Sequence, residues 1–202
     1  MKGLPSRRKI GLAVLLGGVI AIAAALYLRP PGGTAPQPVA GMPFGAPFSL
    51  ADQDGEPVSE AIFRGRPSAV FFGFTNCPDI CPATLAEMAA WSKELGDAGK
   101  ELRFVFVSVD PERDTPAVLK SYLSAFDVAI TGITGESQAV AAMLKNYGVY
   151  SAKVPLEGGG YTMDHTASVF LLDARGHFFG SISPGAARDE ALAKLRRLLA
   201  QS

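Results

Sequence analysis

Nineteen consecutive residues, Ile10 to Leu28, carry no charge, and no other feature limits the fold of this chain as strongly. As a helix that run would reach roughly 28 Å, close to the hydrocarbon thickness of a bilayer. It predicts one transmembrane helix over 10–28. Lys2, Arg7, Arg8 and Lys9 precede the run and only Arg29 follows closely. The positive-inside bias then puts residues 1–9 in the cytoplasm and the remainder across the inner (cytoplasmic) membrane, in the periplasm. A cleaved signal peptide is the alternative, with Ala23 and Ala25 as a small-residue cleavage site. The run continues through Leu26, Tyr27 and Leu28, beyond the roughly 7–15 residue core of a signal peptide, which favours a retained single-pass anchor.

Residues 29–47 include Pro30, Pro31, Gly32, Gly33, Pro36, Pro38, Pro43 and Pro47, and so read as a spacer without regular structure. The folded part is expected over 48–202, long enough for one core that buries about 70% of its unfolded surface without disulfides. Five of the 19 basic residues precede residue 30, leaving 14 basic against 19 acidic side chains. A nucleic-acid partner would need a basic stripe, and none follows the N-terminus.

Ser68 to Phe74 is an apolar, β-rich run that suits a buried central strand, and Leu102 to Val109 suits a second. Pro82, at an expected first helical position, opens a stripe of Leu85, Met88, Ala89 and Leu95 that ends near Gly96. Asp114 or Thr115 can cap a helix running to Phe126, and another helix fits Ser137 to Tyr147. Ala167 to Leu172, a turn over Asp173 to Gly176, and His177 to Ser183 predict a hairpin, with a final amphipathic helix over Asp189 to Ala200. This order predicts a three-layer α/β domain with a central mixed sheet, similar to the thioredoxin fold. Tyr150 to Met163, with its Gly158-Gly159-Gly160 triplet, reads as a flexible excursion able to move the residues beside it.

The only cysteines, Cys77 and Cys81, flank Pro78-Asp79-Ile80 where the first apolar strand meets a helix. A structural disulfide here would close a five-residue loop worth only about 2 kcal/mol, against about 4.7 for a 100-residue loop. The pair is a poor staple. A helix N-terminus would also favour thiolate, the form that attacks disulfides or binds metal. Thiol exchange typically uses Cys-x-x-Cys; the extra residue here widens the turn and leaves room for an ion. A third ligand is available in His165, within Asp164-His165-Thr166, just before the late apolar strand. His177, between a turn and Phe178-Phe179, reads as an ordinary exposed or half-buried residue. Two thiolates and an imidazole form a soft donor set that suits copper and disfavours magnesium or calcium. Zinc would accept the same donors, though a structural zinc site normally has four. Met163 reads as packing rather than a ligand, Asp164 either orients the imidazole or is solvated, and Trp91 reads as a partly buried helix residue.

Cys77-Pro78-Asp79-Ile80-Cys81-Pro82, Val109-Asp110-Pro111-Glu112-Arg113-Asp114-Thr115-Pro116 and Asp164-His165-Thr166 together resemble the Sco/SenC family, over about Phe44 to Leu199. The resemblance implies a membrane-anchored, thioredoxin-like copper chaperone that binds one ion through Cys77, Cys81 and His165. It further implies delivery to the copper A centre of cytochrome c oxidase, so that the copper-bearing oxidase subunit, a thiol reductant and another copper chaperone are expected partners. The competing reading is an enzyme, a thiol-disulfide oxidoreductase that reduces the cysteines of the oxidase subunit before metallation and has no need of His165. Peroxide reduction or redox sensing through the same thiols is a third. Asp110 to Pro116 is expected to act structurally, with Asp110 facing the same end of the sheet as the Cys motif and Asp114 as a helix cap. Where many thioredoxin-like proteins have a proline before the late strand, this chain has Thr166, which lets an imidazole approach the sulfurs.

Overall fold

The computed structural model describes residues 46–201. The predicted cytoplasmic segment, transmembrane helix and nearly all of the linker lie outside the described residues. Among those described, no helix is long and apolar enough to cross a membrane.

Three consecutive parallel strands form the centre. β3 (Ser68–Gly73) pairs with β4 (Arg103–Ser108), which pairs with β5 (Ile130–Thr134). Strands covered on both faces need continuous apolar sequence rather than alternation, and all six residues of β3 are buried. Antiparallel strands extend the sheet on either side: β8 (Val169–Leu172) and β9 (Phe178–Ile182) beyond β3, and β1 (Ser49–Asp52) and β2 (Pro57–Ser59) beyond β5. The resulting order is β2-β1-β5-β4-β3-β8-β9 in a mixed sheet of seven strands.

Helix α1 (Ile80–Leu95) joins β3 to β4, followed by the short α2 (Asp97–Lys100), and α3 (Pro116–Leu123) joins β4 to β5. Both crossovers step the same way along the sheet, so right-handed connections put α1 and α3 on one face. Phe71, Phe106 and Gly132 lie in register on that face, with the Phe71 and Phe106 rings 6.0 Å apart. α5 (Arg188–Leu199) packs against α1, β8 and β9. On the opposite face Phe72 meets Phe170 and Tyr147, the residue after α4 (Ser137–Asn146), and Phe63 of a 3-10 turn (Glu60–Phe63) also packs on Tyr147. These are the expected three layers of a thioredoxin-like α/β domain.

Four differences from the sequence reading have physical causes. Pro82 is the third residue of α1 rather than its first, still within the turn where a missing N–H is harmless. β5 escapes periodicity because Gly132 breaks it; a Cβ there would come within 2.6 Å of the Leu123 side chain. β1 and β2 are too short to show a period. Tyr150 to Met163 is not a formless excursion. β6 (Ser151–Pro155) and β7 (Tyr161–His165) pair antiparallel as a two-stranded sheet of their own. Gly158, Gly159 and Gly160 form its tip with φ of +95°, +101° and +78°, values that glycine adopts without strain.

Candidate metal centre

β3 ends at Gly73, and a turn in which the Cys77 N–H donates to the Phe74 carbonyl at 3.3 Å brings the chain to α1. The N–H of Cys81, in the first helical turn, donates to Cys77 Sγ at 3.4 Å, so the first sulfur serves one of the orphan donors of the helix start. Cys77 is half-buried and Cys81 fully buried, and both are free thiols. Gly73 makes room for the second sulfur: a Cβ at that position would lie 3.0 Å from Cys81 Sγ and 2.8 Å from the Phe106 ring.

β7 carries His165 to the same place. Its Nε2 lies 3.6 Å from Cys81 Sγ, across 84 positions of sequence. Its Nδ1 lies 3.0 Å from the Thr166 carbonyl oxygen. Only a protonated nitrogen can face a carbonyl, so Nδ1 carries the hydrogen and Nε2 directs its lone pair at the sulfur. Phe74 meets the imidazole edge to face at 5.7 Å, and Phe71 lies 6.2 Å away. The Nε2–Sγ separation is what one ion would span: bonds of about 2.3 Å to sulfur and 2.0–2.1 Å to nitrogen, meeting at tetrahedral to trigonal angles, put the two atoms about 3.5–3.8 Å apart. Among the described residues no three His, Cys, Asp or Glu side chains are already closed around a common point. Cys81 and His165 are brought together, and Cys77 Sγ is turned to the helix N–H.

Burial sets the electrostatics of this pair. Desolvation drives the Cys81 thiol far above its ordinary range, with Cys77 adding to the rise. It also holds the His165 imidazole below its ordinary value, partly offset by the Thr166 carbonyl and the Asp164 charge. The two groups are neutral at neutral pH, a thiol facing an imidazole. This corrects the expectation of a favoured thiolate at Cys81. A helix terminus is worth about 0.3–1 kcal/mol, whereas full burial moves a pKa by up to about 3–5 units, or roughly 4–7 kcal/mol.

The segment after β4 touches both halves of the site. Asp114 is buried, accepts from the Thr75 N–H at 3.1 Å and hydroxyl at 2.6 Å, and accepts from the Ser108 hydroxyl at 2.6 Å. It therefore anchors the Cys loop rather than capping α3. The cap is Thr115, whose side chain accepts from the Val118 N–H at 3.4 Å. Burial raises the Asp114 carboxyl, opposed by the hydrogen bonds from Ser108 and Thr75. Asp110, also buried, pairs with Arg113 and accepts from the Tyr161 hydroxyl at 2.8 Å.

The remaining candidates fall as follows. Met163 packs against the core. Asp164 is exposed, and the imidazole is oriented by Thr166 instead. His177 is exposed, with its Nδ1 3.7 Å from Asp173. Trp91, expected to be partly buried, is buried at 3% exposure. Sequence reasoning gave no site role to Thr75 or Tyr161, and none to the Thr166 carbonyl that orients the imidazole, because each acts through contacts with distant segments or a main-chain atom that no local pattern signals.

Comparison with known proteins agrees with this fold. Yeast Protein SCO2, mitochondrial (Saccharomyces cerevisiae) is 38% identical over 155 residues, covering 75% of this chain; the match spans 52% of the yeast protein, about half its length. Among solved structures, Bradyrhizobium japonicum ScoI with copper bound superposes with a TM-score of 0.70 at 42% identity, covering 76% of this chain and 98% of that one. BsSco, described as having a disulfide switch and as a member of the Sco family of cytochrome c oxidase assembly proteins, gives 0.61 at 26% identity over 78% of this chain and 94% of its own. The SCO1/SenC family model matches residues 37–200, a span that includes every side chain of the candidate centre, and the chain belongs to that family.

Proposed function

We propose that this protein is a copper chaperone whose cargo is one copper ion, held by Cys77, Cys81 and His165 and delivered to the copper A centre of cytochrome c oxidase. The observation that carries the reading is the approach of His165 Nε2 to Cys81 Sγ at 3.6 Å with Nδ1 occupied by a carbonyl, since metal-binding histidines fix their tautomer in this way. The copper bound by the Bradyrhizobium relative supports the choice of metal. Turning the half-buried Cys77 sulfur from the helix N–H toward the pair would add the third donor. That sulfur is the accessible one, and an acceptor thiolate would reach the ion there and replace the ligands stepwise.

Loading requires both thiols reduced. If an exported disulfide forms, two electrons and two protons from a thiol reductant must first convert it to the dithiol, and copper then displaces thiol protons. In this reading residues 10–28 are the anchor of a single-pass inner-membrane protein with its folded domain in the periplasm. Tethering keeps the domain near a membrane-embedded acceptor and raises its effective concentration. Another copper chaperone would supply the ion.

A second reading has its own observation: one half-buried and one buried free thiol four residues apart also suit a dithiol reductant of the oxidase subunit, and BsSco is described with a disulfide switch. His165→Ala separates the two. Incubated with the reduced apo copper domain of the oxidase subunit, the copper-loaded wild type is expected to transfer its ion, and the variant to retain too little to transfer. Incubated with the oxidised domain, full reductase activity in both, with assembly intact in the variant, would favour the enzyme.

A further inference from the structure

The β6–β7 hairpin, which ends in His165, is a two-stranded sheet separate from the main one. Its base is tied to itself, Thr166 N–H to the Tyr150 carbonyl at 3.0 Å and Tyr150 N–H to the Thr166 hydroxyl at 3.0 Å. Beside the apolar packing of Met163 on the core and of the His165 ring on Phe71 and Phe74, its polar attachment to the body comes from the segment between β4 and α3. Arg113 Nη1 donates to the Tyr161 main-chain oxygen at 2.9 Å, while Arg113 Nε pairs with Asp110. The Tyr161 hydroxyl donates to the other Asp110 oxygen at 2.8 Å. The guanidinium also lies 3.9 Å from the centre of the Tyr161 ring and 5.9 Å from that of Phe74, the ring that abuts His165. An exposed ion pair, Lys153 with Glu112 at 2.6 Å, reinforces the same seam. The same segment grips the Cys loop through Asp114 and Thr75.

We propose that Arg113 and Tyr161 form a latch that holds the hairpin against the Asp110–Asp114 segment and so sets whether His165 lies against Cys81. They are positioning residues, since neither is one of the proposed copper donors. One short segment thereby registers both halves of the centre: Asp114 fixes the loop that bears Cys77, and Arg113 fixes the strand that bears His165. With the latch closed, Nε2 stays within one ion's span of the sulfur. With it open, the hairpin swings on its own base and leaves a two-sulfur site. Only the Arg fork can hold a carboxylate and a carbonyl together while stacking on the ring; a lysine offers a single point charge.

The proposal rests on the copper reading above, and the test separates their failures. Tyr161→Phe keeps the ring and removes only the hydroxyl bond, so it leaves the fold intact; Arg113→Lys keeps the charge and loses the fork. In the full chain, copper affinity is expected to fall about 10-fold in Tyr161→Phe and up to about 100-fold in Arg113→Lys, the range for losing a group that orients a metal ligand. Nitrogen coupling in the Cu(II) electron paramagnetic resonance spectrum should weaken while sulfur-to-copper absorption persists, a change that general destabilisation would not produce. In the metal-free protein, the His165 Nδ1–H resonance should lose its protection and the β7 amides should exchange faster in both variants. Wild-type nitrogen coupling, affinity and ring resonance in both variants would overturn the latch. Loss of the metal-free signals in a protein whose wild type binds no copper would overturn the copper reading and leave the latch standing.

Discussion

Cys81 and Cys77 share a motif but not an environment, and their chemistry should differ accordingly. Cys81 is buried beneath Gly73, Phe71 and Phe106, with its thiol pushed up by desolvation, whereas Cys77 is half-exposed. A thiol-labelling reagent applied to the reduced, metal-free protein should modify Cys77 first and Cys81 about tenfold or more slowly, as read by mass spectrometry of the digested product. Equal rates would show that the sulfur is not shielded. Gly73→Ala tests the same packing from the other side. Its added methyl meets the Phe106 ring at 2.8 Å and Cys81 Sγ at 3.0 Å. The expected cost is about 1–3 kcal/mol of stability by denaturant titration, the usual penalty for overpacking. Cys77, Cys81 and His165 stand out as candidates because they are rare residue types at element boundaries, and the structure brings Cys81 and His165 together. Gly73 and Asp114 were not, since their roles come from approaches by Cys81 and Thr75 that no neighbour in sequence announces. The direction of the Cys81 pKa was misread for the same reason, because a helix start is visible in the sequence and burial from above is not.

At the scale of elements, β3, β4, β8 and the long helices could be read directly, because a strand or helix that packs on several sides advertises itself in apolar residues. The β6–β7 hairpin could not, because it buries little and its burial does not alternate cleanly along the strands. Its glycine tip reads from sequence as freedom and serves in the fold as a tight reversal: Leu156 N–H donates to the Gly160 carbonyl at 3.2 Å and Gly159 N–H to the Leu156 carbonyl at 3.1 Å. Gly159→Ala would put a side chain at φ +101°, a conformation that costs an L-residue about 1–2 kcal/mol. Since the hairpin is a separate two-stranded sheet, that cost should appear locally. Amide exchange in β6 and β7 is expected to accelerate about tenfold while the β3 and β4 amides are unchanged, because 1.4 kcal/mol corresponds to about a factor of 10. Uniform acceleration across the domain would instead make the hairpin part of the global folding unit.

The molecule as a whole couples metal loading to protons, and the sign follows from the two shifted groups. His165 is held below its ordinary pKa, so above about pH 6.5 no proton competes for Nε2. Below that value the unfolded chain takes up the proton first, and the stability of the metal-free domain falls with pH. Cys81 keeps its proton through neutrality and well above, so an incoming ion must displace it. Apparent copper affinity should therefore climb about tenfold per unit between roughly pH 7 and 9 from this proton alone. A flat profile, by competition with a chelator whose own pH dependence is subtracted, would mean that Cys81 is not a ligand. The central claim is the three-donor site itself, and copper stoichiometry with the electron paramagnetic resonance and absorption spectra of the reduced protein tests it most directly. The account predicts one copper per chain with sulfur and nitrogen signatures in the wild type, loss of a sulfur contribution in Cys77→Ser and Cys81→Ser, and loss of the nitrogen in His165→Ala. One-to-one binding with unchanged spectra in all three variants would contradict it.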